Sequence, residues 1–121
     1  MTEKILCLRL KGDLYRYLCD YTDGFYHKEC RELALKTYQL ASGECCRLSP
    51  ATPLVMKVAL SHAMYYYEIL DSVEFAIRIL GESLFEAKEE YQGFKRKCSD
   101  EELKDYHETY KTLESNISRF K

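Results

Sequence analysis

Apolar residues recur at steps of three and four along most of the chain, and this periodicity predicts helices. The pattern is cleanest near the end. Leu103, Tyr106, Tyr110, Leu113, Ile117 and Phe120 form one seam with charged residues elsewhere, and such a seam must pack on a neighbour. Phe75, Ile79, Leu84, Ala87 and Tyr91 predict a second buried stripe one element earlier.

The few breakers fall between these periodic segments. A first helix runs from about Thr2 to Tyr21 and stops at Thr22, Asp23 and Gly24, where glycine can take the left-handed conformation that ends helices. A second spans Phe25 to about Arg47. Ser49 to Pro53 interrupts the pattern, with Thr52 as N-cap and Pro53 at the first helical position, where a missing N–H costs nothing. The third helix ends near Leu70. Asp71 or Ser72 caps the fourth, with Glu74 reaching back, and that helix continues to about Phe94. Ser99 and Glu102 repeat the device before the fifth. The expected fold is all-α: an antiparallel array of about five helices in one domain over residues 1–121, with hairpins stacked as in tetratricopeptide arrays.

Composition narrows the function. Both signs of charge are mixed, and a net charge of −2 gives no basic excess for displacing nucleic-acid counterions. The one compact basic cluster, Lys95 to Lys97, is followed by the acidic Asp100 to Glu102. Nucleic acid is therefore not an expected partner. Charged residues interrupt every apolar run, so no membrane span is expected. Six cysteines at irregular spacings within helical segments, with no signal peptide ahead of them, predict a reducing, cytoplasmic setting.

The segment KGDLYRYL, Lys11 to Leu18, sets Arg16 beside Tyr17 on a helix. A guanidinium offers a fork of donors that fits a phosphate, and a phenol adds a hydrogen bond without charge. Arg9 lies two turns earlier on the same face. Spacing alone leaves another reading open: Asp13 and Asp20 lie four residues from Arg9 and Arg16, so the stripe could be a solvated face of ion pairs.

KGDLYRYL, YQLA (Tyr38 to Ala41), the pair Pro50 and Pro53, and ALSHAMYYYEILDS (Ala59 to Ser72) together resemble the C-terminal half of the 14-3-3 family. The resemblance covers nearly the whole chain. It implies a phosphoserine- or phosphothreonine-dependent adaptor that binds client proteins in an amphipathic groove. Arg16 and Tyr17 match the family's phosphate-holding arginine and tyrosine, and Arg9 matches a family lysine. Leu60, Ser61, Met64, Glu68, Asn116 and Phe120 match positions that face the bound peptide. Ser61 stands where the family has a clamping asparagine, Phe120 where it has tryptophan, and Thr112 and Arg119 where leucine is usual. A serine hydroxyl is shorter than an amide, and phenylalanine lacks the indole donor. Two further phosphate-pocket cations and the helices of the family's homo- or heterodimer come from an N-terminal half that these residues do not include. The alternative is a 14-3-3-like helical scaffold or assembly module that has lost phosphate recognition.

Other constellations are weaker. His27 and Cys30 could share a face, but no further ligands complete a zinc site, and Cys45 and Cys46 point in different directions on a helix. No nucleophile–base pair, phosphate-cradling glycine loop or carboxylate pair in a cleft is identifiable, so neither an enzyme nor a cofactor is expected. Glu82, Glu86, Glu89 and Glu90 read as a solvated face, and the tyrosines as packing residues with hydroxyls at the surface.

Overall fold

The computed structural model describes residues 2–121. They form α1 (Thr2–Cys19), α2 (Gly24–Cys45), α3 (Pro53–Glu68), α4 (Val73–Glu89), α5 (Tyr91–Lys97) and α6 (Asp100–Phe120), with no strand among the described residues. The all-helical class is as expected; six helices replace the expected five. The fourth predicted helix does not run to Phe94. It breaks at Glu90, whose φ of −94° and ψ of 1° leave the helical well. The break re-aims Tyr91 and Phe94 onto α6, where their rings lie 5.1 and 5.8 Å from that of Tyr106.

Helix ends follow local chemistry unevenly. Gly24 has φ +58°, the conformation expected of it, and Thr22 donates its hydroxyl to Leu18 O at 3.0 Å to satisfy an end carbonyl. Pro53 takes the first turn of α3, yet neither Thr52 nor Ser72 makes a side-chain cap bond. The Ser99–Glu102 capping box forms in full, with Glu102 N donating to Ser99 Oγ at 3.2 Å and Ser99 N to Glu102 Oε1 at 3.4 Å.

Cross-helix bonds give the topology. Lys4 meets Glu44, Asp13 meets Tyr38 and Cys19 meets His27, so α1 and α2 run antiparallel. Arg9 reaches Ser61 and Arg16 reaches Glu68, so α1 and α3 run parallel. Lys57 meets Asp105 and Tyr67 stacks on Phe120, so α6 runs parallel to α3. Helices α1, α3 and α6 thus lie side by side in one layer, with α2 and α4 packed against them. The main core joins α3, α4 and α6 through Met56, Ala63, Leu80, Leu84, Tyr106, Leu113 and Phe120. Smaller clusters around Ile5 with Val58, and around Tyr38 with Tyr65, tie α1 and α2 to α3.

Two expectations about packing need correction. The α4 stripe is rotated: Ala76, Leu80, Leu84 and Ala87 are buried, whereas Phe75 is 45% exposed and lies over Tyr66. Nor do all tyrosine hydroxyls reach the surface. Tyr38 and Tyr65 are fully buried; Tyr38 donates to Asp13 Oδ1 at 2.6 Å and Tyr65 to Arg31 O at 2.8 Å. Burial pushes the Tyr65 phenol up to about 12. The Tyr38 ring also accounts for Gly12 in KGDLYRYL, because a Cβ there would lie 2.6 Å from the ring edge.

Candidate functional site at the groove between α1, α3 and α6

Arg9, Asp13 and Arg16 recur on α1 at steps of four and three, so they share the flank that faces α3. Ser61 and Glu68, two turns apart, answer them from α3. Arg9 Nε donates to Ser61 Oγ at 2.9 Å, and the Ser61 hydroxyl donates to Asp13 Oδ2 at 3.5 Å. Arg16 reaches Asp13 at 3.5 Å and Glu68 at 3.7 Å. One network therefore links two arginines, two carboxylates, a serine and the Tyr38 phenol. Burial, with the Asp13 carboxylate beside it, holds Tyr38 protonated far above the usual tyrosine range.

This arrangement excludes a simple solvated face of ion pairs. Arg16 is only 8% exposed, its Nε is buried without a hydrogen-bond partner among the described residues, and its closest carboxylate is three residues away. Tyr17 is different. Its ring is 58% exposed, with the Arg16 guanidinium carbon 5.3 Å from its centroid, which leaves the phenol free for an incoming group.

Beyond Arg9 the groove opens into a cleft of about 370 Å³ lined by Arg9, Lys57, Leu60, Asp105, Glu108, Thr109 and Thr112. Lys57 and Asp105 close across it at 3.2 Å, and Thr109 donates to the same carboxylate at 3.3 Å. Leu60 supplies an apolar wall. Further along, Arg119 donates to Met64 Sδ at 3.6 Å. Asn116 is folded back on α6, its amide donating to Thr112 O at 2.8 Å. Phe120 lies in the core, 6% exposed and 4.2 Å from the Tyr67 ring.

The structure thus gathers Arg9, Arg16, Tyr17, Ser61 and Glu68 at one end of the groove and Leu60 beside the cleft, while Asn116 is occupied by its own helix and Phe120 is withdrawn. Asp13, Lys57 and Asp105 are additional groove residues. The signal for Lys57 and Asp105 was present in the sequence: Lys57, Ser61, Met64 and Glu68, and likewise Asp105, Thr109, Thr112 and Asn116, alternate steps of four and three beside the apolar seams.

A larger cavity, about 530 Å³, lies on the opposite side between α2, α3 and α4, where Cys45, His62 and Ser83 contribute to its lining. Burial pushes the Cys45 thiol up to about 11 and the His62 imidazole below its ordinary value. No trio of His, Cys, Asp or Glu among the described residues is placed to hold a metal, and none of their helices is long and apolar enough to cross a membrane.

The family described as 14-3-3 protein matches residues 1–121. Among curated relatives, the checkpoint signal transducer rad25 of Schizosaccharomyces pombe is 34% identical over 117 residues, 96% of this chain and 42% of its own length. The 14-3-3 protein 7 of Solanum lycopersicum is 33% identical over 111 residues, 91% of this chain and 42% of its own. The chain therefore spans less than half the length of these relatives.

Proposed function

We propose, for a chain that belongs to the 14-3-3 family, a protein-binding adaptor role in which the groove between α1, α3 and α6 receives a client segment and the Arg9, Arg16 and Tyr17 end receives its phosphoserine or phosphothreonine. One observation supports this reading above the rest. Two guanidinium groups, two turns apart on α1, are fixed at one end of the groove by Asp13, Ser61 and Glu68, next to an exposed phenol. Carboxylates that hold an arginine limit its rotamers and so reduce the entropy lost when it meets an anion. The Leu60 wall and the adjoining cleft would take neighbouring client residues. No chemistry is proposed.

Charge sets the expected strength. The two arginines face two carboxylates, so the phosphate would arrive at a cluster that is already neutral overall. One charge-assisted contact contributes about 1.5–3 kcal/mol, against about 8 kcal/mol for a micromolar complex. Phosphate alone therefore gives a modest preference, with the rest of the client supplying the remainder. The same neutrality, together with Ser61 engaging Arg9, favours a second reading in which this is a helical scaffold that binds partners without phosphate.

Fluorescence anisotropy with a serine peptide and its phosphorylated form separates the readings. The adaptor role with phosphate recognition predicts tighter binding of the phosphorylated peptide, a several-fold loss in Tyr17→Phe and loss of the preference in Arg16→Gln. Equal affinity for both peptides would leave only the scaffold reading, and binding of neither in the groove would overturn both.

A further inference from the structure

The cavity of about 530 Å³ between α2, α3 and α4 stands apart from the α1 groove and has no part in the adaptor reading. The two helices that supply most of it each turn one regular face inward. On α3, Val55, Val58, Ala59 and His62 fall at i, i+3, i+4 and i+7, and on α4 the same spacing selects Ile79, Glu82, Ser83 and Glu86. The two valines, Ala59 and Ile79 make the wall largely apolar, and two kinds of polar group interrupt it.

The first kind is unmet. His62 Nε2 and Ser83 Oγ, one from each helix, are buried and have no hydrogen-bond partner among the described residues. Such atoms are rare in folded proteins, because an unmet donor or acceptor costs the desolvation of the group. A serine within a helix commonly returns its hydroxyl to the carbonyl one turn back, and Ser83 does not. His62 has its Nδ1 engaged, 3.5 Å from Ser42 Oγ, which leaves Nε2 as the open position. The one other buried side-chain atom in this condition among the described residues is Arg16 Nε, within the candidate phosphate network. The second kind is charged. Glu82 and Glu86 stand at the exposed edge of the cavity, and no lysine or arginine lines it. Arg78 reaches Glu82 at 3.9 Å, an exposed contact that contributes little. Burial holds the His62 imidazole below its ordinary value, so at neutral pH it adds no positive charge.

We propose that this cavity binds a small amphipathic amine, with an apolar body against Val55, Val58, Ala59 and Ile79, an ammonium at Glu82 and Glu86, and a hydroxyl at His62 Nε2 and Ser83 Oγ. Three observations choose this occupant. The volume is that of a small-molecule pocket, the two carboxylates select positive charge, and the two unmet atoms call for a group that both donates and accepts.

Amide NMR titration of the 121-residue chain tests this with three probes of nearly one shape. Tyramine carries the ring, the hydroxyl and the ammonium; phenethylamine lacks the hydroxyl; hydroxyphenylpropionate has a carboxylate in place of the ammonium. Saturable shifts are expected with tyramine at His62, Ile79 and Ser83. Affinity should fall several-fold for phenethylamine, and several-fold again for tyramine with the exposed Glu86→Gln variant, whose core is untouched. Hydroxyphenylpropionate should not saturate. The result does not depend on whether the α1 groove takes phosphate. Absence of saturable tyramine binding, or shifts centred on α1, overturns the proposal. So does equal affinity for any two of the probes, or an affinity for tyramine unchanged when Glu82→Gln and Glu86→Gln are combined.

Discussion

Helices α1 and α6 form the two outer walls of the same groove, yet they are built on different plans. Apart from Leu103 at its start, α6 carries its large apolar side chains on one seam that is buried in or packed against the core, its outer face is charged, and its first turn is closed by a capping box. α1 buries Ile5 together with the small or polar Gly12, Arg16 and Cys19, and packs Leu8 beside Ile5, while Leu6, Leu10, Leu14 and Leu18 point away from the domain. α6 buries its apolar seam against this chain's own core, whereas α1 leaves Leu6, Leu10, Leu14 and Leu18 exposed. The difference teaches that apolar spacing along a helix does not by itself say which of its faces the domain buries.

Substitutions along the two helices should diverge accordingly. The largest effect is expected at Leu113, fully buried between α6 and the core: Leu113→Ala should cost about 2–5 kcal/mol in urea unfolding. Gly12→Ala comes next. Its new methyl group would press on the Tyr38 ring, and the overpacking should cost about 1–3 kcal/mol; Tyr38→Phe in the same background should not relieve it, because the clash is with ring carbons, not the hydroxyl. Ser99→Ala removes half of the capping box and should cost about 1 kcal/mol. By contrast Leu14→Ala on the outer face of α1, measured in dilute solution, should stay within about 0.5 kcal/mol of the parent. A cost at Leu14 equal to that at Leu113 would break the comparison.

The smallest expected effect is a dependence on pH. Burial holds His62 below its ordinary pKa of 6.5, so the unfolded chain takes up that proton more readily than the folded one. Stability present above about pH 6.5 should decline as the pH falls through and below that value, and His62→Gln should flatten the decline in urea titrations at a series of pH values.

How much of this was legible in the sequence follows the same division. The α6 seam was readable in full, since Leu113 and its partners face a neighbour across a regular helix. Pro53 and the Ser99–Glu102 pair marked helix starts because their effects are local. The break at Glu90 was not readable, because neither glycine nor proline stands there; the break serves the docking of Tyr91 and Phe94 on Tyr106, a contact between distant segments. Phe75 misled for a related reason. A large aromatic at helical spacing reads as core, but α4 presents alanines and leucines to α3 and α6 and leaves Phe75 lying over Tyr66.

The candidate site shows both limits. Arg9, Arg16 and Tyr17 could be singled out from one helix, and Ser61 and Glu68 from the family pattern. That Asp13 is the centre of the network was hidden, because its partners Tyr38 and Ser61 lie 25 and 48 residues away. The withdrawal of Asn116 onto Thr112 depends on a rotamer, which sequence spacing does not encode.

Phosphate recognition by the α1 wall is the central claim, and amide and arginine Nε–H chemical shifts on titration with a phosphorylated peptide test it most directly. The account predicts that the largest changes fall on Arg9, Arg16 and Tyr17, spread to Leu60 and Thr112, and shrink with the unphosphorylated peptide. Changes confined to the α2–α4 side, or identical for the two peptides, would contradict it.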